Sequence, residues 1–408
     1  MRILYVTAIK PTTPNGVARF DKKLAAYIDA GVEVGVVCGI DEGDHDAEPP
    51  QGVKFFPVRF KTSKLPFSIV DALDEVPLPS VHRSDEVASV RNQLDDAFAS
   101  TIDEAIESFA PDVIVCSHLS LMTSIALERA GGIPVVGISH SVCFHEFLRD
   151  NVTRGIIESN LTKLDIVFAC CERQREFMLG HFDIDASKVR VLYGSCDTST
   201  YTMDGHRTYL KATEPSINIV YMGKFTYKNG LQSLLNAVSL LPCRPGAVNV
   251  RLCGKTENSF QKAAIDLLVR ENPQNVELCG WLGPEELAEE YRRAQVFVLP
   301  AFYDEFPLKI LEALACECKV VTTDLPGLRD WIEESVPGAS VYYVKPPRMQ
   351  GLDEPLKCDI ADFEKRMSEA IKQAVLAPLK PVDLSRLSWQ GRAEHVIEAC
   401  AELLDRRQ

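Results

Sequence analysis

The stretch VFVLPAFYDEFPLKILEALACECKVVTTDLPGLRD, residues 296–330, holds the side chains best placed for chemistry. An apolar run at 296–299 stops at Pro300, a residue that strand interiors exclude. Pro307 suits the first turn of a following helix, and a second apolar run holds Val320 and Val321. The pattern predicts strand, acidic loop, helix and strand. Asp304 and Glu305 then sit at the mouth of the loop, and Glu312, eight residues after Asp304, sits about one turn into the helix. The helix start offers backbone N–H groups at Phe306, around Pro307 and at Leu308, an anion site in waiting. A diphosphate joined to two polyhydroxyl rings would use every one of those groups. Acids placed for the helix dipole explain the same residues without a ligand. The segment alone leaves both readings open.

Elements of two kinds must position this loop. In the first half, apolar runs at 3–7, 32–38, 53–60, 113–116, 133–138, 166–169 and 189–192 predict strands. Helical patterns fall between most of them, at 17–28, 86–109, 119–130 and 173–180, with Gly31 closing the first. A polar, turn-rich stretch near 202–216 reads as a linker, and residues 64–84 as a long loop. The alternation restarts with strands at 217–222, 248–252, 276–278, 296–299 and 341–344. Helices are predicted at 231–241, 261–271, 285–294 and 362–376, with a last one at 389–405. Near-continuous apolar strands separated by helices mean parallel sheets covered on both faces. The expected organisation is α/β: a domain over 1–202, a linker over 203–216, a second domain over 217–385 and a final helical segment over 386–408. Ligands of such sheets sit beyond the carboxyl ends of the strands.

Composition sets the class. The chain has 408 residues, 46% hydrophobic and 25% charged, which suits a two-domain globular protein. A net charge of −14 argues against a nucleic-acid surface. No apolar run approaches the ~20 residues of a membrane span. The start, MRILYVTAIK, reads as a strand and not as a signal peptide. Thirteen cysteines without a C-x-x-C read as core thiols of a reducing, cytoplasmic compartment.

Several segments, in order, resemble the family-4 glycosyltransferases of the GT-B fold. The opening segment resembles that family's pair of acids seven residues apart followed by E-A-x-A-C-G, with Asp304 where Glu is usual and Glu317 where Gly is usual. VYMGKFTYKNG (220–230) is similar to the family's strand, G-R-L, spacer and K-G, with Lys224 in place of Arg. NVELCGWL (275–282) resembles its V-x-F-x-G strand, LYGSCD (192–197) its N-G-V-D, and Pro14-Asn15-Gly16 its amino-terminal glycine turn.

The resemblance implies two doubly wound Rossmann-like domains facing a central cleft, and retaining transfer of a sugar from a UDP-sugar without a metal ion. It implies that Lys224 and Lys228 bind the donor diphosphate, where fixed cations stabilise the charge that develops on departure. Gly16 would let backbone approach the diphosphate from the other domain. Glu312 would accept from the ribose hydroxyls, the backbone at Trp281 and Leu282 would hold the base, Asp304 a sugar hydroxyl, and His140 the sugar and leaving phosphate. Lysine serves a phosphate as a point charge, without the fork of arginine. The final helix would cross back onto the first domain.

Other features fit plainer roles. Asp44-His45-Asp46 is a D-x-D within an acidic loop, DEGDHDAE, which suits a solvated loop better than a metal site. His118, in VIVCSH, has the context of His140 in VVGISH and is assigned to structure; His145 and Glu146 suit an exposed helix start. Phenylalanines interleaved with Lys54, Arg59, Lys61 and Lys64 could touch a membrane, but the acidic helix that follows argues against it. Two alternatives stand: a GT-B protein that only binds nucleotide sugar, and a dinucleotide-dependent oxidoreductase. The latter lacks a G-x-G-x-x-G after the first strand of either half.

Overall fold

Strands that are apolar on both faces need a helix layer on each, and the chain supplies those helices between the strands. The computed structural model describes residues 1–9, 14–43, 51–66, 85–140, 151–205, 216–256, 258–304, 307–351 and 354–407. The first run is β1 (Arg2–Ile9), α1 (Pro14–Asp29), β2 (Glu33–Asp41), β3 (Val53–Phe60), α2 (Asp85–Phe109), β4 (Val113–Ser117), α3 (Leu121–Arg129), β5 (Val135–Ile138), α4 (Asn151–Lys163), β6 (Ile166–Ala169), α5 (Glu172–His181) and β7 (Val189–Val191). The second is β8 (Ile217–Met222), α6 (Leu231–Ser239), β9 (Val248–Cys253), α7 (Ser259–Glu271), β10 (Asn275–Gly280), α8 (Pro284–Arg293), β11 (Val296–Leu299), α9 (Leu308–Ala315), β12 (Lys319–Thr323), α10 (Leu328–Ser335), β13 (Val341–Val344) and α11 (Ile360–Leu376). The last helix is α12 (Trp389–Asp405).

The first unit comprises residues 1–193 and 389–408. Its parallel sheet runs β3-β2-β1-β4-β5-β6-β7. Leu4, Val6, Ile114 and Cys116 face Phe98 and Ile102 of α2, Met122 of α3 and Leu161 of α4. Ile3, Tyr5, Val36 and Val115 face Leu24 and Tyr27 of α1 together with Ala393, Val396 and Cys400 of α12. The last helix therefore completes the first unit's core, and Arg190 pairs with Glu402 at 2.6 Å.

The second unit, residues 194–388, has a parallel sheet ordered β10-β9-β8-β11-β12-β13. Its core joins Tyr221, Val250, Val298 and Val321 to Leu234 of α6 and to Phe363, Met367 and Ile371 of α11. The division falls between Tyr193 and Gly194, earlier than the sequence reading places it. The reason is Arg292 of α8, only 3% exposed, which donates to the carbonyls of Thr200 (2.5 Å) and Thr202 (2.9 Å). That clamp ties residues 200–202 to the second unit.

Helices α4 and α10 are not shown by the sequence pattern, and α4 is the longer of the two. Its residues NVTRGIIESNLTK include Gly155 and several poor helix formers. Packing overrides propensity: Ile157 and Leu161 are buried, and the Asn160 amide donates to the carbonyls of Leu119 (2.9 Å) and Ser120 (3.0 Å). The loop at 67–84, the Asp44–Asp46 motif, His145, Glu146, Glu305 and Phe306 lie outside the described residues. No helix among the described residues is long and apolar enough to cross a membrane.

Candidate active site

In the second unit, three loops at the carboxyl ends of β8, β9 and β10 are laced by backbone bonds. Gly223 N–H donates to Cys253 (3.0 Å), Phe225 N–H to Lys255 (2.9 Å), and Gly254 N–H to Gly280 (2.7 Å). The lacing demands glycine. At Gly254, φ is +151° and a Cβ would stand 1.9 Å from the Gly223 carbonyl oxygen. Lys224 leaves this knot exposed, while its carbonyl is held by the Tyr221 hydroxyl (3.0 Å) and the Asn229 amide (2.8 Å). Lys228 occupies a single 3-10 turn, Tyr227–Asn229, just before α6. Its carbonyl accepts from Phe302 N–H at 2.8 Å, so the turn bearing the second lysine is tied to the acidic loop. Gly230 makes that approach possible, with φ +69° and no room for a Cβ beside Pro300.

The acidic loop ends at Pro307, which is buried and caps α9, and Leu308 opens the helix. Asp304 pairs with Lys309 at 3.5 Å, a partner the sequence reading did not single out. Glu312 is 3% exposed, one turn into α9, and its charge helps raise the Tyr291 hydroxyl well above its ordinary range, after burial itself. Helix α9 then closes with two backbone bonds, Glu317 N–H to Leu314 (2.9 Å) and Cys318 N–H to Ala313 (2.8 Å). That pattern puts its C′ residue in the left-handed region, and Glu317 has φ +56°. The Gly-to-Glu departure noted in the sequence falls at a position where backbone geometry prefers glycine. Trp281 and Leu282 follow β10 directly, with Trp281 48% exposed.

The first unit has its own polar cluster at the carboxyl end of its sheet. His140 follows β5, and its Nε2 lies 3.0 Å from the Ser117 hydroxyl at the end of β4. The His118 ring lies 4.5 Å from that of His140. His118 itself has φ +77°, a strained conformation fixed by its N–H donating to Ile138 (3.0 Å) and its carbonyl accepting from Thr123 (2.7 Å). Burial, reinforced by Lys23, pushes the His118 imidazole down to about 4. Burial, His118, Lys23 and Arg392 hold His140 well below its usual range. Both rings are therefore neutral near pH 7. Sequence context treats His118 as structural, whereas the structure pairs it with His140. Lys23 donates to the Tyr5 hydroxyl from an adjacent element, a contact that spacing along the chain does not reveal. Gly16 lies in the first turn of α1.

Family models match over most of the chain: "Glycosyltransferase Family 4" over residues 14–200 and "Glycosyl transferases group 1" over residues 216–353. The chain belongs to the family-4 glycosyltransferases, and its two sheets have the GT-B fold. It is 25% identical over 235 residues to the D-inositol 3-phosphate glycosyltransferase of Corynebacterium efficiens, covering 51% of this chain and 54% of that protein. The aligned region spans about half the length of the curated relatives it matches. Among solved structures, sucrose-phosphate synthase of Thermosynechococcus elongatus matches with a TM-score of 0.64 at 17% identity over 99% of both chains. Anabaena HepE in complex with UDP and glucose matches at 0.59 and 14% identity, over 98% of this chain and 100% of that one.

Proposed function

We propose that the chain transfers a sugar from a UDP-sugar to an acceptor, with retention at the anomeric carbon and without a metal ion. One observation carries the reading: the Lys224 carbonyl is held by Tyr221 and Asn229, and the Lys228 carbonyl accepts from Phe302 N–H, which ties the turn of the two lysines to the loop of Asp304. Two cations on a turn so anchored bind a diphosphate and stabilise the charge of its departure. Glu312 accepts from the ribose hydroxyls, Trp281 and Leu282 hold the base, and Pro307 and Leu308 bring the α9 amino end to the phosphate. Asp304 holds a sugar hydroxyl. In the first unit His140, neutral and fixed by Ser117, donates a hydrogen bond to the donor and carries no charge of its own. Retention follows the family resemblance, and the UDP bound to the Anabaena protein supports the choice of base.

The test is turnover. Incubation with a panel of UDP-, GDP- and ADP-sugars should give transfer or slow donor hydrolysis with UDP-sugars alone, and proton NMR of the first-formed product should show the donor's anomeric configuration. Inverted product would overturn retention. Binding of UDP without any turnover across a broad acceptor panel would favour the inactive, binding-only alternative.

A further inference from the structure

Strands β9 and β10 carry two cysteines side by side at their carboxyl ends. Leu278 pairs with Leu252 and Gly280 with Cys253, so Cys279 and Gly280 together oppose the single residue Cys253. That is a β-bulge, and alternation puts Arg251 and Cys253 of β9 on one face with Glu277 and Cys279 of β10. An ion pair between Arg251 and Glu277 spans the same face. The Cys253 thiol donates to the Cys279 sulfur, and both cysteines are free. Cys253 is fully buried, whereas Cys279 is partly exposed on the edge strand of the sheet. The hydrogen bond from Cys253, and then the charge of Arg251, hold the Cys279 thiol below its ordinary range. A low, partly exposed thiol beside a cation is the reactive kind. Neighbouring strands lie about 4.8 Å apart, within the Cα spacing of roughly 4.4–6.8 Å that a disulfide spans. The bulge also adjoins the candidate site, because Gly280 accepts from Gly254 N–H at 2.7 Å and Trp281 and Leu282 follow it directly.

We propose that Cys253 and Cys279 form a reversible disulfide that weakens nucleotide binding. The effect on the nucleotide rests on the transferase reading above; the disulfide itself does not. The oxidant is a small disulfide such as oxidised glutathione. The Cys279 thiolate attacks one of its sulfurs, forming a mixed disulfide and expelling one glutathione thiolate. Cys253 then gives up its proton and attacks the Cys279 sulfur, expelling the second. The two cysteines lose two electrons and two protons, and the small disulfide is reduced to two thiols. Bringing the sulfurs from hydrogen-bonding contact to a bond of about 2.05 Å draws the bulge toward β9 and shifts Trp281 and Leu282. The full chain is equilibrated with reduced or oxidised glutathione, free thiols are alkylated, and peptides are mapped by mass spectrometry. UDP affinity of each form is measured by calorimetry. The proposal expects a Cys253–Cys279 crosslink in the oxidised chain alone, with UDP bound about five- to tenfold more weakly, the scale of one lost hydrogen bond. Dithiothreitol should reverse both changes, which controls for misfolding. Cys279→Ser should form no such crosslink and keep its UDP affinity after the same oxidation. Glutathione held on Cys279 without the crosslink, or a crosslinked chain with unchanged UDP affinity, would overturn the proposal. A reversible crosslink in a chain that ignores UDP even when reduced would instead sink the transferase reading and leave the disulfide standing.

Discussion

The carboxylate of Asp304 faces the ammonium of Lys309 at 3.5 Å, each side chain 26% exposed, across the start of α9. A pair this exposed adds about 0–1 kcal/mol to stability. Its value lies in orientation, since the loop carboxylate is steered by a residue fixed on a helix. Lys309→Met should therefore leave the denaturation midpoint almost unchanged and slow transfer by lowering kcat. Unchanged kcat with an intact fold would mean that Asp304 needs no such steering.

Glu317 is where stability has room to rise. A side chain in the left-handed region costs about 1–2 kcal/mol relative to glycine, and Glu317 ends α9 with φ +56°. Glu317→Gly should raise stability by about 1 kcal/mol in chemical denaturation and leave turnover unaltered. A loss of turnover would give the carboxylate a role in the reaction.

Acid should destabilise the first unit through its histidines. The folded pKa of His118, about 4, lies below the ordinary value near 6.5, so the unfolded chain takes up the proton first. Its contribution is intact above about pH 6.5 and is lost as pH falls toward 4. Melting temperatures of the His118→Gln variant should fall less steeply over that window than those of the parent. Superimposable profiles would mean that the ring is not held neutral by its surroundings.

Chelation should leave turnover intact if, as proposed, Lys224 and Lys228 supply the charge that a divalent ion would otherwise give. Activity abolished by excess EDTA and restored by manganese or magnesium would contradict this, and would return attention to Asp44 and Asp46.

Much of the fold was legible because its strands are apolar on both faces and its turns are marked by Gly, Pro or charge. The runs at 53–60, 166–169, 217–222, 296–299 and 341–344 have the same bounds in sequence and structure. Helix α4 was illegible because its propensity is poor and only the burial of Ile157, Asn160 and Leu161 decides the matter. At the site, Lys224, Lys228 and Glu312 stand out through local spacing. Lys309, Lys23 and the pairing of His118 with His140 do not, because each depends on contacts made by folding, such as Lys23 reaching Tyr5 from a different element.

The central claim is that the second unit binds UDP through Glu312 and reserves Asp304 for the sugar. Calorimetry of UDP with the parent chain, Glu312→Ala and Asp304→Ala tests it most directly. Losing a hydrogen bond to a charged group should weaken UDP by roughly 1.5–3 kcal/mol in Glu312→Ala, with affinity nearly unchanged in Asp304→Ala. Equal loss in both variants, or no loss in Glu312→Ala with its fold intact, would contradict the account.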